Sequence, residues 1–404
     1  MDIEVSPISV RPRILYRLEA VGGGIYTYSV HQIGALVRAG AAVTVLCREG
    51  TKPSDFPGAL VKPELQEAAA GLRLRRPLAY IRDARFTMKR LTFEASKGYD
   101  FVLLDCFREY FAPLWIGPLR SLREAGLPIG IINHDPSRDF KVGPVIWHRR
   151  CLWAVYAAVT DIFVHGAVSM TAWEARFRNR VHTLPHGPLT SAAGFPERAS
   201  ERRARGFAEK DFVILCFGQI RDGKQLDKLI RALRGAPGQV KLLVAGRVES
   251  HSQRGLPYYK QLIQFCGLAD RVVWDYRYIP DDEVGRLFAC SDAVATLYSE
   301  RFVSSSGVMS CAVAHRRPLL ISCGEGPMKT AVMRYPIGEW VRPGDPAALG
   351  VAIAKLVTGA KDYSFEAYLK DHSWEENARR VLSVVKATMR SGEQNCLIGL
   401  EFGG

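Results

Sequence analysis

Phe212-Val213-Ile214-Leu215-Cys216-Phe217-Gly218-Gln219-Ile220-Arg221-Asp222-Gly223-Lys224 is an apolar run that stops on a glycine and passes into a basic turn. Beyond it the apolar residues return at helical spacing, as Leu226, Leu229, Ile230 and Leu233. A short, uninterrupted apolar run bounded by glycine reads as a strand buried on both faces, the kind found in parallel sheets. The segment is therefore a strand, a turn and a helix. Arg221 and Lys224 stand on the turn, at the carboxyl end of the strand, where open α/β sheets bind their ligands. Two cations fixed on one turn suit a diphosphate, although a solvated basic turn has the same composition.

The same alternation extends in both directions. Downstream, strands are expected at Val240 to Ala245, Arg271 to Trp274, Ala293 to Leu297 and Leu319 to Ser322. Upstream, a first series occupies Arg13 to Tyr16, Val43 to Cys47, Phe101 to Cys106, Ile129 to Asn133, Asp161 to Val164 and Val181 to Leu184. Two series of strands alternating with helices predict an α/β fold of two Rossmann-like doubly wound domains that face a central cleft. Between them Pro188 to Lys210 holds Pro196, an Ala/Ser-rich stretch and the run Glu201-Arg202-Arg203-Ala204-Arg205, which reads as a linker. The expected organisation is one Rossmann-like domain over residues 1–195 and a second over 196–372. Residues 373–404 are a C-terminal helix returning to the first domain, plus a tail, with helical periodicity from about Ser373 to Met389 and none after Ser391.

The chain has 404 residues, 48% of them hydrophobic and 24% charged, which excludes a disordered or low-complexity protein. Its 55 Lys+Arg against 41 Asp+Glu give a net charge of +14, a field that favours phosphorylated ligands, anionic membranes or nucleic acid. The nine cysteines are scattered singly without metal-ligand spacing, and most lie in apolar runs, as expected of thiols in a reducing cytoplasm. Met1 to Arg11 carries Asp2 and Glu4 and no apolar core, so no export signal is expected, and no run of about 18 apolar residues suggests a membrane span. Part of the charge is local. Residues 1–195 hold 25 Lys+Arg and 17 Asp+Glu, and the stretch from Arg73 to Arg90 has seven cations against the single Asp83. Interleaved with Leu74, Leu78, Tyr80, Ile81, Phe86 and Met88, this stretch is a cationic amphipathic segment suited to an anionic membrane surface.

Three further loops follow strands. Glu19-Ala20-Val21-Gly22-Gly23-Gly24 precedes a helix and lets backbone approach a ligand at Gly23 and Gly24, although it matches neither a dinucleotide fingerprint nor a P-loop. Tyr298 to Gly307 leads into a helix, so Ser304, Ser305, Ser306 and Gly307 are placed where free N–H groups and the positive end of the dipole can meet phosphate oxygens. Asn133-His134-Asp135 ends a strand of the first half and supplies titratable groups there.

In order and spacing these pieces, with Leu242-Leu243-Val244-Ala245-Gly246, Val181-His182-Thr183-Leu184-Pro185-His186-Gly187, Ser291-Asp292-Ala293, Pro343-Gly344-Asp345-Pro346 and Ser373-Trp374-Glu375, resemble the GT-B-fold glycosyltransferases. The likeness is to the large retaining family that uses nucleotide sugars, and it runs roughly from residue 13 to 385. It implies that the second half holds a nucleoside diphosphate and the first half an acceptor. Lys224 matches the family's phosphate-binding lysine. The family's arginine just after the glycine is Gln219 here, which makes Arg221 the substitute candidate. Aligned from Pro318, the family's two glutamates fall on Ser304 and Cys311, so neither is acidic and the retaining outcome is left open, with Glu300 as a possible stand-in.

The resemblance further implies that the base and ribose lie between Arg247, the Tyr276-Arg277-Tyr278 segment and the loop after Tyr298. His134, Asp135 and Glu19 are then the candidates to act at the acceptor hydroxyl or the donor sugar. The expected activity is transfer of a sugar from a UDP- or GDP-sugar, a substrate rather than a resident cofactor, with no metal required. The acceptor is a glycan or a lipid-linked molecule at the cytoplasmic face of a membrane, as in polysaccharide biosynthesis, reached through Arg73 to Arg90. Two alternatives stand beside it. One is glycosylation of modified bases in DNA, for which no dedicated nucleic-acid reader is present; the other is an inactive, glycosyltransferase-like binding subunit.

Overall fold

The structure, a computed structural model, describes residues 11–66, 76–136, 143–166, 174–190, 197–248, 253–359 and 362–401. Arg73 and Arg75 of the basic stretch lie outside the described residues. Among those described, the strands of the first half are β1 Arg13–Leu18, β2 Ala42–Arg48, β3 Leu60–Leu65, β4 Phe101–Leu104, β5 Ile129–Asn133, β6 Asp161–Val164 and β7 Val181–Thr183. They form one sheet in the order β3-β2-β1-β4-β5-β6-β7, parallel throughout. The second half contributes β8 Phe212–Phe217, β9 Val240–Ala245, β10 Val272–Asp275, β11 Ala293–Leu297, β12 Leu319–Ser322 and β13 Gly338–Trp340. Their order, β10-β9-β8-β11-β12-β13, repeats the doubly wound pattern, again parallel. The expected fold class is the one observed.

Helices cover both faces of each sheet, so the central strands alternate between two apolar layers rather than between core and water. Along β8, Val213 and Leu215 join one cluster while Ile214 and Cys216 join the other. Along β1 the same division separates Leu15 from Ile14 and Tyr16. Two strands, β3 and β13, were not anticipated. Both are edge strands, paired on one side only, and their sequences Leu60-Val61-Lys62-Pro63-Glu64-Leu65 and Gly338-Glu339-Trp340 carry the polar residues and proline that an edge tolerates.

The helix Trp374–Glu401 extends beyond the expected end near Met389. Its apolar stripe Trp374, Ala378, Val381, Leu382 and Val385, at spacings of three and four, packs into the core of the first half beside the helix Gly23–Arg38. A buried polar link fixes the register: Asn377 Nδ2 donates to Tyr28 Oη (2.9 Å) and to Pro185 O (2.8 Å), and Gln32 Nε2 donates to Asn377 Oδ1 (2.8 Å). Trp374 Nε1 donates to Pro188 O (2.8 Å), and its ring lies so close to Gly187 that a Cβ there would fall 2.5 Å from it. The carboxyl edges of the two sheets are thereby brought face to face.

Candidate functional site

On the second half, the ends of β8 and β9 are pressed together by two glycines. Gly218 has φ +93° and Gly246 φ +137°, and a Cβ on Gly246 would lie 2.1 Å from Gly218 O, so no other residue fits without moving backbone. Lys224 rises from the short turn Asp222–Lys224 and folds back over Gly218, its Nζ donating to Phe217 O (2.8 Å). Burial lowers its pKa to about 8, with Arg221 adding to the shift and Cys216 opposing it. A small recess beside it is lined by Phe217, Tyr298 and Val308. The turn itself is braced from behind: Arg254 Nε donates to Asp222 Oδ1 (2.8 Å), and Gln253 Oε1 accepts from Asp222 N (2.6 Å). The Arg221 guanidinium has no hydrogen-bond partner among the described residues. Arg247 lies over the Tyr278 ring (5.9 Å to its centroid), and Tyr276 Oη accepts from Val248 N (3.4 Å).

The Ser304–Gly307 loop lies against both halves. The helix Gly307–Ala314 begins there with Ser306 as N-cap, and Ser306 Oγ bonds Tyr298 Oη (3.0 Å) rather than capping the helix. Ser304 Oγ donates to Asp135 Oδ1 (2.5 Å) and Ser305 Oγ donates to His165 O (2.7 Å), both across the cleft. Their hydroxyls thus tie the halves together, and it is the helix start at Gly307 that retains the anion-binding character of free N–H groups. Cys311 sits in the core of the second half with its thiol pushed up to about 11 by burial, and Glu300 is exposed. Gly324 is the reason the Glu300 backbone can lie where it does, since a Cβ there would meet Glu300 O at 2.0 Å.

On the first half, Gly22, Gly23 and Gly24 are exposed, Gly23 has φ +76°, and a Cβ on any of the three would meet nothing within 4 Å. The loop borders the cleft, because Thr27 Oγ1 donates to Asp281 Oδ2 of the second half (3.1 Å). Glu19 is enclosed by guanidinium groups: Arg17 Nη1 at 2.5 Å, Arg108 Nε at 2.8 Å and Arg48 Nη2 at 3.5 Å. Burial would raise its pKa, but Arg17, Arg108 and Arg48 outweigh that and hold it below the ordinary value. Asp83 joins through Arg48 (3.0 Å) and Arg108, and Asp105 through Arg17 (3.4 Å). Asp105 is shifted upward, by burial first, with Arg17 opposing and Glu19 adding.

His134 has both ring nitrogens engaged. Its Nε2 lies 2.8 Å from Asp105 O, which can only accept, so Nε2 carries the proton; Nδ1 then accepts from His165 Nε2 at 2.9 Å. His186 stands beside them, and all three rings surround Tyr28 at centroid distances of 4.7 to 5.3 Å. Burial keeps the three neutral: His134 and His186 fall to about 4 and His165 well below its ordinary value.

The structure therefore groups Gly218, Arg221, Lys224 and Arg247 on one edge, and across the cleft it brings Asp135 to Ser304 and His165, the partner of His134, to Ser305. Glu19 belongs to an arginine cluster, and Glu300 is not drawn into either group. Sequence reasoning missed His165 and Asp105. Each directly follows a strand, and that position was the available signal. No three His, Cys, Asp or Glu side chains among the described residues are arranged to hold a metal ion.

Residues 197–381 match the family model described as glycosyl transferases group 1. Three solved structures share the whole two-domain fold. Anabaena HepE in complex with UDP and glucose superposes with a TM-score of 0.66 at 17% identity, covering 94% of this chain and 100% of that one. Sucrose-phosphate synthase from Thermosynechococcus elongatus gives 0.62 at 18% identity, covering 97% and 100%. WaaG, a glycosyltransferase involved in lipopolysaccharide biosynthesis, gives 0.58 at 16%, covering 91% and 94%. No curated protein matches the chain in sequence.

Proposed function

We propose that this chain, a GT-B-fold glycosyltransferase with a group 1 transferase domain at residues 197–381, moves a sugar from a UDP-sugar to a glycan or lipid-linked acceptor at a membrane face. The observation that carries the donor half of the reading is the pairing of Lys224 with the glycine-lined ends of β8 and β9. Backbone there lies open to close approach, and a half-buried cation stands beside Arg221, which has no partner among the described residues. When the bond from the anomeric carbon to the departing diphosphate breaks, negative charge grows on the β-phosphate. Lys224, Arg221 and the helix start at Gly307 offset that charge without reorganising. UDP is favoured over GDP because the HepE structure that shares this fold holds UDP and glucose.

On the acceptor side, His134 has no free nitrogen in this arrangement, since its Nε2–H donates to Asp105 O and its Nδ1 accepts from His165 Nε2. Asp135 keeps its second carboxylate oxygen for the acceptor hydroxyl while the first accepts from Ser304. Asp135 is therefore the group assigned to receive the acceptor's proton, and His134 shapes the wall beside it.

The membrane reading draws on the helix Arg76–Ala95. No helix among the described residues is long and apolar enough to cross a membrane. One stripe of this helix, Leu78, Arg82, Arg85, Lys89 and Phe93, is exposed at spacings of three and four, with Leu78 73% and Phe93 56% exposed. Apolar ends flanking three cations fit a surface that is anionic outside and apolar below. Flotation with vesicles containing anionic lipid should carry the protein at low salt, and Arg82→Glu with Lys89→Glu should leave it in solution; equal flotation of the variant would refute the role of the stripe.

Donor identity is tested by thermal shift. A UDP-sugar should raise the melting temperature and GDP- or ADP-sugars should not, because only a ligand bound to the native state stabilises it. A shift with none of the three would overturn the reading.

A further inference from the structure

A cleft of about 560 Å³ lies between the halves, away from Lys224. Its walls follow the ends of β6 and β7 on one side, at His165 and at Thr183 to Pro185, and the helix Pro327–Arg334 after β12 on the other. The donor candidates follow β8 and β9, on the other side of β11 in the sheet order β10-β9-β8-β11-β12-β13. The floor is the segment from Lys370 to Glu376, where the chain crosses back to the first half. This cleft therefore sits on the hinge side of the contact made by Ser304 and Ser305.

Its charge is unevenly satisfied. The two carboxylates are already occupied: Asp371 accepts from Arg334 Nη2 (3.2 Å) and from the Tyr335 hydroxyl, and Glu376 accepts from Arg379 Nε (2.6 Å), Arg379 Nη2 (2.7 Å) and Arg380 Nε (2.7 Å). The cations are not. Lys370 has no partner among the described residues, the Arg334 side chain is 69% exposed with one of its nitrogens bonded, and Arg380 has Nη2 left after Nε meets Glu376 and Nη1 donates to Thr183 O (3.1 Å). Among the residues that line the cleft, Arg334, Lys370 and Arg380 against Asp371 and Glu376 leave one positive charge uncompensated beside a space the size of a small ligand, and Arg379, bonded to Glu376, adds positive charge behind it. Guanidinium and ammonium donors converging in this way select phosphate oxygens.

We propose that the hinge-side cleft is a second ligand site, separate from the donor site, which takes a small phosphate-bearing anion. A ligand there touches Arg380 and Thr183 on one half and Arg334 on the other, so its binding and the separation of the halves are linked.

The test is calorimetric titration of the full chain with inorganic pyrophosphate. Lys224→Ala, which disables the donor edge, should retain the binding, and Arg334→Ala with Lys370→Ala should weaken it at least tenfold. Lys370→Glu alone, at an exposed position without a partner among the described residues, should weaken it similarly. The proposal is overturned if wild type shows no binding, if Lys224→Ala abolishes it, or if the Arg334 and Lys370 variants bind as wild type does. Because the probe carries no nucleotide or sugar, these outcomes are independent of whether UDP-sugar is the donor.

Discussion

Where the first sheet meets the cleft, Glu19 is enclosed by Arg17, Arg48 and Arg108, and three histidines are kept neutral around Tyr28. Where the second sheet meets it, Lys224 rests on a backbone carbonyl, Arg221 has no partner among the described residues, and glycines take the positions closest to the space. One edge has spent its charges internally and the other has kept them. An edge with compensated charge is rigid and near-neutral, suited to a polyol acceptor; an edge with spare cations is suited to a leaving diphosphate. The net charge of +14 is thus less informative than its distribution.

The comparison breaks most visibly at Lys224. Lys224→Ala should lower kcat/KM by about 10²–10³, the loss typical of one preorganised donor to a developing charge. Near-normal turnover would remove this side chain from the site. The neutral histidines give the next largest effect, on stability. A histidine held near 4 in the fold and near 6.5 when unfolded takes up protons first in the unfolded chain, so its contribution is complete above about pH 6.5 and is lost as pH falls toward 4. For one such group the loss is about 3 kcal/mol, and His134→Gln should flatten the dependence measured by denaturant unfolding from pH 7 to 4.5. An unchanged slope would mean that the histidines titrate normally.

Smaller effects sharpen the picture. Gly246→Ala, which sets a Cβ against Gly218 O, should cost about 2 kcal/mol of stability and raise the donor KM, because the carbonyl must shift at the donor edge. Ser304→Ala removes the bond to Asp135 between the halves and should lower activity by about fivefold, equivalent to about 1 kcal/mol, with the same loss in Asp135→Asn only if the carboxylate serves nothing else. A much larger loss in Asp135→Asn than in Ser304→Ala is the outcome expected if Asp135 receives the acceptor's proton.

The interior strands were legible because burial on both faces leaves continuous apolar runs, as in Val213 to Cys216. β3 and β13 were not, because an edge strand needs no such run and carries Lys62, Pro63 and Glu64 or only three residues. The helix Trp374–Glu401 was legible to about Met389, as far as its helical periodicity lasts, and the sequence after Ser391 has no such periodicity to announce the continuation. In the site, Lys224 and Gly218 were readable because both lie in the short segment that leads from β8 into the next helix. The setting of Glu19 was not, since besides Arg17 on β1 its partners come from β2 and from the loop after β4, and a carboxylate looks the same in sequence whether three arginines surround it or none. His165 was hidden for a similar reason: its partner His134 is 31 positions away. The turning of Ser304 and Ser305 toward the first half depends on the meeting of two domains and has no local signature.

The account rests most heavily on the charge of Lys224 at the donor edge. Titration of UDP into the protein at pH 7 and pH 9 measures it directly. With the lysine pulled down to about 8 by burial, its charge is present at pH 7 and largely lost at pH 9, so UDP affinity should fall severalfold or more between them. In Lys224→Ala it should be weak and nearly pH-independent. Equal affinity of wild type and Lys224→Ala, with the same pH dependence, would contradict the assignment of the diphosphate to this edge.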